Sequence, residues 1–217
     1  MRGRWLAWLG VLGVGVAGAY GVACVSNSDE PVNPCPKYCS DMLATCTGND
    51  TQYPDDPTCE RFCSSMAPGE AGIAAGDTVA CRGVAVSNAK DEPSPSLKHQ
   101  DCVGGGPAAG QCVNNDPCTA FCTLDLALCG SQRTGYTDVN ACVTACETWG
   151  QSFDGALLGS TGNTLQCRTY HLELSQTGDP NDLETHCPHT GVVSARCFDS
   201  DAGSDAGSDA ASDASSD

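Results

Sequence analysis

The chain has few aromatic and few basic residues, and it lacks the short motifs of several common enzyme classes. Aromatic side chains make up 6% of its 217 residues, so little material is available for a conventional hydrophobic core. No Cys-x-x-Cys, Gly-x-Ser-x-Gly, His-Glu-x-x-His or phosphate-binding loop occurs. These absences argue against thioredoxin-like chemistry, covalent haem attachment, serine hydrolases and zinc peptidases. We therefore predict a protein that is not an enzyme, with a novel catalytic site as the remaining alternative.

Positive charge is also scarce. The chain has 10 basic and 27 acidic residues, which gives a net charge of −17. Loss of residues 1–23 would remove Arg2 and Arg4 and no acid, so the net charge would fall by two to −19. Such a chain is repelled by nucleic acids and by anionic lipid surfaces. We expect no nucleic-acid partner.

Cysteine, in contrast, is abundant, and the same spacing of cysteines occurs twice in the chain. Sixteen of the 17 cysteines form two matching series, which are offset by 83 residues at first and by 86 and 85 residues near the end. The first series is Cys35, Cys39, Cys46, Cys59, Cys63, Cys81, Cys102 and Cys112. The second series is Cys118, Cys122, Cys129, Cys142, Cys146, Cys167, Cys187 and Cys197. An even count of eight in each series favours complete disulfide pairing, which requires an oxidising compartment.

Matches outside the cysteines support an internal duplication. Thr51-x-Tyr53-x-Asp55 recurs as Thr134-x-Tyr136-x-Asp138, and Cys81-Arg82 recurs as Cys167-Arg168. The sequence divides into a signal peptide (1–23), a tether (24–34), a first repeat (35–112), a linker (113–117), a second repeat (118–197) and a tail (198–217). The tail consists mainly of Asp, Ala, Ser and Gly, a composition that predicts disorder.

Each repeat is predicted to be helical, so the expected fold class is all-α and disulfide-rich. Cysteines four residues apart lie on one face of a helix, and they recur in a first and a second helix of each repeat. Asp55 and Asp138 are suitable N-caps for the second helix of each repeat. The segments 76–78 and 162–164, which end at Thr78 and Thr164, offer the N-cap of a third helix. The Gly-, Pro- and Asn-rich end of each repeat is expected to be a loop.

An antiparallel pair of such helices predicts which cysteines bond. Two cysteines on one helix point the same way, so they pair better with a facing helix, first with last. The hairpin pairs are then Cys35–Cys63, Cys39–Cys59, Cys118–Cys146 and Cys122–Cys142. Short loops favour Cys102–Cys112 and Cys187–Cys197, and elimination leaves Cys46–Cys81 and Cys129–Cys167. Spacing alone leaves other pairings open. The arrangement resembles the twin-CxxxC hairpins of alpha-hairpinins, a resemblance of architecture that carries no function.

The N-terminal segment resembles the signal and lipobox of bacterial lipoproteins. Arg2 and Arg4 precede an apolar stretch, and residues 17–23 read Ala-Gly-Ala-Tyr-Gly-Val-Ala before Cys24. Gly21 departs from the usual lipobox, where leucine is commonest. The resemblance implies lipidation of Cys24, the one cysteine outside both series. The alternative is an ordinary signal peptide that is cleaved after Ala19 or Ala23, which would make the protein secreted.

Three histidines of the second repeat lie close together in sequence, beside two cysteines. His171 follows Cys167 by four residues, while His186 and His189 flank Cys187-Pro188. Imidazole is a common ligand of zinc and copper, so these histidines are candidate metal ligands. The competing interpretation, which we favour at this point, is that the cysteines are oxidised and that the histidines are ordinary packing or polar residues.

The first repeat offers no matching set of histidines. Its corresponding residues are Ala85, Asp101 and Gly104, and only His99 lies near. The pattern Cys-Arg-x-Tyr-His followed by His-Cys-Pro-His resembles a signature of cysteine-rich myxobacterial lipoproteins of unknown function, and the acidic tail resembles linkers of secreted proteins from the same bacteria.

Together these patterns predict an exported, lipid-anchored protein of the bacterial cell envelope, with the outer membrane as the expected site. Its role would be structural or binding, with an unidentified envelope or extracellular protein or a glycan as partner and no cofactor. The alternative function is that of a metal-binding or electron-transfer accessory that uses the histidine cluster.

Overall fold

The computed structural model describes residues 33–108, 110–151, 161–194 and 196–198. The predictions for the signal peptide, for Cys24, for most of the tether and for the tail beyond Phe198 lie outside these residues. The described residues form one compact unit, so the two predicted repeats are not separate bodies. Within the described residues the secondary structure is helical, with no strand and two isolated backbone bridges, which confirms the all-α fold class.

The first half of the described chain contains four helices. They are α1 (Cys35–Thr45), α2 (Asp56–Ser64), α3 (Val79–Asp91) and α4 (Pro95–Gly105), with 3-10 turns at Gly48–Asp50 and Gly110–Val113. The second half follows the same order with one short extra helix. Its helices are α5 (Pro117–Leu128), α6 (Ser131–Thr134), α7 (Val139–Cys146), α8 (Leu165–Leu174) and α9 (Asp182–Thr190).

Side-chain caps fix where several helices begin. Asp55 caps α2 through the backbone N–H of Thr58, and Asp138 caps α7 through that of Ala141. These caps confirm the boundaries expected from the sequence, because a short acidic side chain in extended backbone satisfies a free N–H of the first turn. Threonine does the same at the third helix of each half, where Thr78 and Thr164 precede α3 and α8.

The fourth helix of each half was expected to be loop, and that prediction is wrong. Pro95 begins α4, a position at which proline is favoured because the first N–H of a helix has no partner within it. The helix then runs through Gly104 and Gly105 before it ends. Because glycine has a low helix propensity, these two residues made a loop the expected structure. In the second half, α9 even contains Pro188.

The four hairpin disulfides are present as predicted. Cys35–Cys63 and Cys39–Cys59 join α1 to α2, with Cα–Cα distances of 5.6 and 5.7 Å. Cys118–Cys146 and Cys122–Cys142 join α5 to α7 in the same way, at 5.7 Å each. These distances lie in the normal range for a disulfide, which an antiparallel pair of helices provides without distortion.

The other four predicted pairs, Cys46–Cys81, Cys102–Cys112, Cys129–Cys167 and Cys187–Cys197, are wrong. The structure contains Cys46–Cys102, Cys81–Cys112, Cys129–Cys187 and Cys167–Cys197 instead. The physical reason is the fourth helix. It directs Cys102 or Cys187 toward the end of the first helix, and the third helix then bonds the final cysteine of its half. Pairing across a short loop assumed that no helix was there.

One hydrophobic core extends through both halves. It combines the disulfide sulfurs with a few aromatic and aliphatic side chains, among them Phe62, Tyr53, Phe121 and Leu165, all at most 1% exposed. The halves also meet directly, since the carbonyl oxygen of Gln176 accepts hydrogen bonds from Thr58 and from the guanidinium of Arg61. The equivalent order of helices and disulfides is consistent with duplication, which stays a prediction.

Candidate functional site

Helices α8 and α9 bring the three predicted histidines of the second half together. His171 lies on α8, while His186 and His189 lie one turn apart on α9, so that both project from the same side of that helix. The ring centroid of His171 is 5.6 Å from that of His186 and 4.8 Å from that of His189. The centroids of His186 and His189 are 6.4 Å apart. This cluster of three rings is hereafter the histidine cluster.

Two ring nitrogens of the cluster face each other at close range. Nδ1 of His171 and Nδ1 of His186 are 3.3 Å apart, and the two rings are nearly parallel, with an interplanar angle of 23°. One imidazole can donate a hydrogen bond to the other at this distance, or both nitrogens can direct their lone pairs at one electrophile. The arrangement therefore suits either a proton or a cation between the rings.

Burial differs among the three rings. His171 is 6% exposed, with the ring of Tyr170 at its edge, 5.4 Å between centroids. His186 and His189 are half-buried on the outer helix. The cluster therefore has an inner ring that is fixed by its surroundings and two outer rings that solvent can reach.

Two disulfides hold the backbone around the cluster. Cys187 lies between the outer histidines in sequence and joins α9 to the end of α5 through Cys129. Cys167 lies one turn before His171 and joins Cys197. The sulfurs of Cys167 and Cys197 and a ring nitrogen of His171 all lie within 4.8 Å of one another. These cysteines are bonded to each other, so neither offers a thiolate to a metal.

The equivalent place in the first half contains no histidine. Ala85 is buried on α3, and Gly104 on α4 is so tightly covered that an added Cβ would lie 1.8 Å from the side-chain nitrogen of Gln111. His99, the fourth histidine, instead pairs through Nδ1 with Oδ1 of Asp50 at 2.7 Å. In the first half, therefore, Gln111 covers the position that corresponds to His189, and the cluster belongs to the second half alone.

Buried charges form a second group of unusual residues, which the sequence did not single out. Arg82 is fully buried, forms an ion pair with Asp77 at 2.6 Å and donates from Nε to the carbonyl of Gly106. Its counterpart Arg168 is 2% exposed and lies over the ring of Trp149, with 3.8 Å from its central carbon to the centroid. The repeated Cys-Arg dipeptide was the available signal, but it gave no indication that the arginines are inside.

Two acidic side chains are also fully buried. Burial raises the pKa of Asp125 to about 7, and a hydrogen bond with Thr190 and the charge of Arg168 partly oppose that rise. Burial raises the pKa of Glu173 well above its ordinary value, and neither carboxyl oxygen of Glu173 has a hydrogen-bond partner among the described residues. Nothing in the local sequence distinguishes these two acids from the exposed ones.

The surface offers no deep pocket in the described part of the chain. An open cavity of about 460 Å³ lies where the halves meet and is lined by Pro57, Glu60, Arg61, Ser64, Leu128 and Gln176. Among the residues that the structure describes, none of the helices is both long and apolar enough to span a bilayer.

No family model matches the chain, and comparison with the curated proteins and with the solved structures likewise finds no match.

Proposed function

We propose that the chain is an exported, lipid-anchored protein that acts as a structural or binding module of the bacterial cell envelope. The observation that carries this proposal is the disulfide framework. All sixteen cysteines of the described residues are paired in eight disulfides, which indicates an oxidising, extracellular or envelope environment.

Complete pairing within the folded part leaves Cys24 as the one cysteine with no partner assigned. Its position directly after the signal-like segment is the position at which bacterial lipoproteins are lipidated, and an odd cysteine in an exported protein calls for such an explanation. A thioether-linked lipid on Cys24 would attach a protein whose charge of −19 after loss of residues 1–23 disfavours direct contact with anionic lipids.

The structural part of the proposal follows from how the fold is stabilised. Cysteine replaces much of the missing aromatic core, and the longest disulfide loops, Cys46–Cys102 and Cys129–Cys187, have sequence separations of 56 and 58. In the chain-entropy model a loop of this length stabilises the fold by about 4 kcal/mol. Such a framework suits a protein that must stay folded outside the cytoplasm, where ATP-dependent chaperones do not act.

The test is expression of the full chain in a bacterial host, with Cys24→Ser compared against Ser28→Ala. Wild type and Ser28→Ala should fractionate with membranes and carry a lipid mass on the N-terminal peptide, while Cys24→Ser should be soluble. Wild type in the medium, or Cys24→Ser still bound to membranes, would refute the lipid anchor. Free thiols in wild type purified without reductant would contradict the disulfide framework itself.

A further inference from the structure

We propose that the histidine cluster is a binding site for one divalent transition-metal cation, of the class that prefers imidazole nitrogen, with Cu²⁺ and Zn²⁺ as its members of interest. The ligands are His171, His186 and His189. This inference does not rest on the lipid anchor or on the role in the envelope, because it concerns the folded second half alone.

The distance between two of the nitrogens fits a shared cation. Two nitrogens that bind one tetrahedral zinc ion at about 2.0–2.1 Å stand about 3.3–3.4 Å from each other. Nδ1 of His171 and Nδ1 of His186 are 3.3 Å apart. The two nitrogens thus already have the separation of two ligand atoms in a tetrahedral site before any cation is added.

His189 is the third ligand. Its ring centroid is 4.8 Å from that of His171, and its side chain is half-buried beside the facing pair of nitrogens. The spacing of His186 and His189, three residues apart on one helix, is a spacing that allows two side chains to reach one ion. A remaining position would be taken by water, since the outer rings are accessible to solvent.

The covalent frame keeps these ligands in place. Cys129–Cys187 fixes α9 between its two histidines, and Cys167–Cys197 fixes α8 one turn before His171. A ligand set that is held in position before binding loses less conformational freedom when the cation arrives. The first half has the same frame but Ala85, Asp101 and Gly104 at the three places, so it provides a natural comparison that lacks every donor nitrogen.

The main competing source of cation binding is the acidic character of the chain. The net charge of −19 of the mature chain attracts cations weakly and without a defined stoichiometry. The experiment must therefore separate one imidazole-dependent site from diffuse attraction. His99 is the matched control, because it is a histidine of the same chain that pairs with Asp50 and lies in the other half.

The test uses the full mature chain with its disulfides intact, titrated with Zn²⁺ alone and with Cu²⁺ alone at neutral pH. Calorimetry should give one tight equivalent for wild type and for His99→Asn. His186→Asn and His189→Asn, whose rings are half-buried, should each weaken that equivalent by at least about tenfold. The Cu²⁺ complex should show nitrogen hyperfine coupling in its electron paramagnetic resonance spectrum, and His186→Asn should reduce the number of coupled nitrogens.

Three results would overturn the proposal. They are the absence of a stoichiometric equivalent with both cations, equal affinities for His186→Asn and His99→Asn, and a Cu²⁺ spectrum without nitrogen coupling. His171→Asn is a supporting variant only, because His171 is buried and its replacement can disturb folding. Far-ultraviolet circular dichroism and a count of free thiols must show that each variant that is compared has kept the fold.

Discussion

Glu173 gives the sharpest test of how the two halves are packed. Its side chain is 0% exposed, while its counterpart in the first half, Ser87, lies on the surface. In its ionised form Glu173 would help to raise the pKa values of Tyr38 and Tyr53, so the carboxyl group lies near the core of the first half. Burial raises its pKa well above the ordinary value, which means that the folded protein holds a proton there that the unfolded chain releases.

The sign of the resulting pH dependence follows from proton binding. Above about pH 4.3, the ordinary pKa of a glutamic acid, the unfolded chain loses this proton while the folded state keeps it. The folded state therefore binds more protons, and the contribution of Glu173 to the free energy of unfolding falls as the pH rises through neutrality. Replacement with Gln removes the titration, and replacement with Leu removes both the titration and the two unsatisfied oxygens.

The magnitude can be taken from the missing hydrogen bonds. A buried polar group without a partner costs about 1–3 kcal/mol, so Glu173→Leu, which preserves most of the volume, should raise the free energy of unfolding at pH 7 by about that amount. For a chain of this length the midpoint of thermal unfolding should rise by roughly 2–4 °C per kcal/mol. Glu173→Gln should flatten the pH dependence, with a smaller gain at pH 7.

The assay is thermal unfolding without reductant at pH 5 and pH 8, with Glu147→Gln as the control at an exposed acid. Wild type and Glu147→Gln should lose stability between pH 5 and pH 8 by more than Glu173→Gln does. The reasoning fails if Glu173→Leu is less stable than wild type at pH 8, or if Glu173→Gln keeps the full pH dependence of wild type.

Two further predictions concern the parts of the fold that the sequence did not reveal. Peptide mapping of the intact, unreduced protein should recover Cys46 joined to Cys102 and Cys81 joined to Cys112; a Cys46–Cys81 peptide would contradict the position of α4. Asp77→Asn should lower the free energy of unfolding by about 2–4 kcal/mol, because it leaves the buried guanidinium of Arg82 without its counterion. Asp179→Asn, at an exposed position, is the control in chemical denaturation, and equal stabilities of the two variants would refute this account.

The hairpins could be predicted from the sequence because everything that defines them is local. Cysteines four residues apart determine a helix face, and Asp55 and Asp138 mark the next helix by satisfying its first N–H groups. The fourth helices could not be predicted in this way. Gly104 and Gly105 disfavour a helix by their own propensity, and tertiary contacts override it, because α4 packs so closely that larger residues would not fit there.

The site shows the same division between local and tertiary information. His171, His186 and His189 stood out because their types and their spacing beside cysteine are visible in the sequence. The burial of Glu173 and Asp125 was not visible, since it depends on which residues of other helices cover them. A carboxyl group on the outer side of an isolated helix and one inside a two-part core look alike in a sequence.

The buried arginines show how the two halves reach one structural requirement by different residues. Each third helix carries an arginine inside the protein, and a buried guanidinium must have a compensating charge or a polarisable partner. In the first half Asp77 supplies the charge. In the second half Asn163 stands in its place, while Asp125 replaces Met42 of the first helix and Trp149 replaces Met66.

In the second half an aromatic ring covers the guanidinium of Arg168, and the charge of that guanidinium partly opposes the rise in the pKa of Asp125 on the first helix. Both halves bury an arginine at this place, although an apolar residue would avoid the cost of burying its charge. Its Nε hydrogen bond to Gly106 in the first half suggests why: the guanidinium holds the end of the fourth helix against the third. If so, the double variant Met42→Asp with Asp77→Asn, which copies the second half, should recover part of the stability that Asp77→Asn alone loses. An additive or larger loss would mean that Asp125 does not serve as the counterion of Arg168.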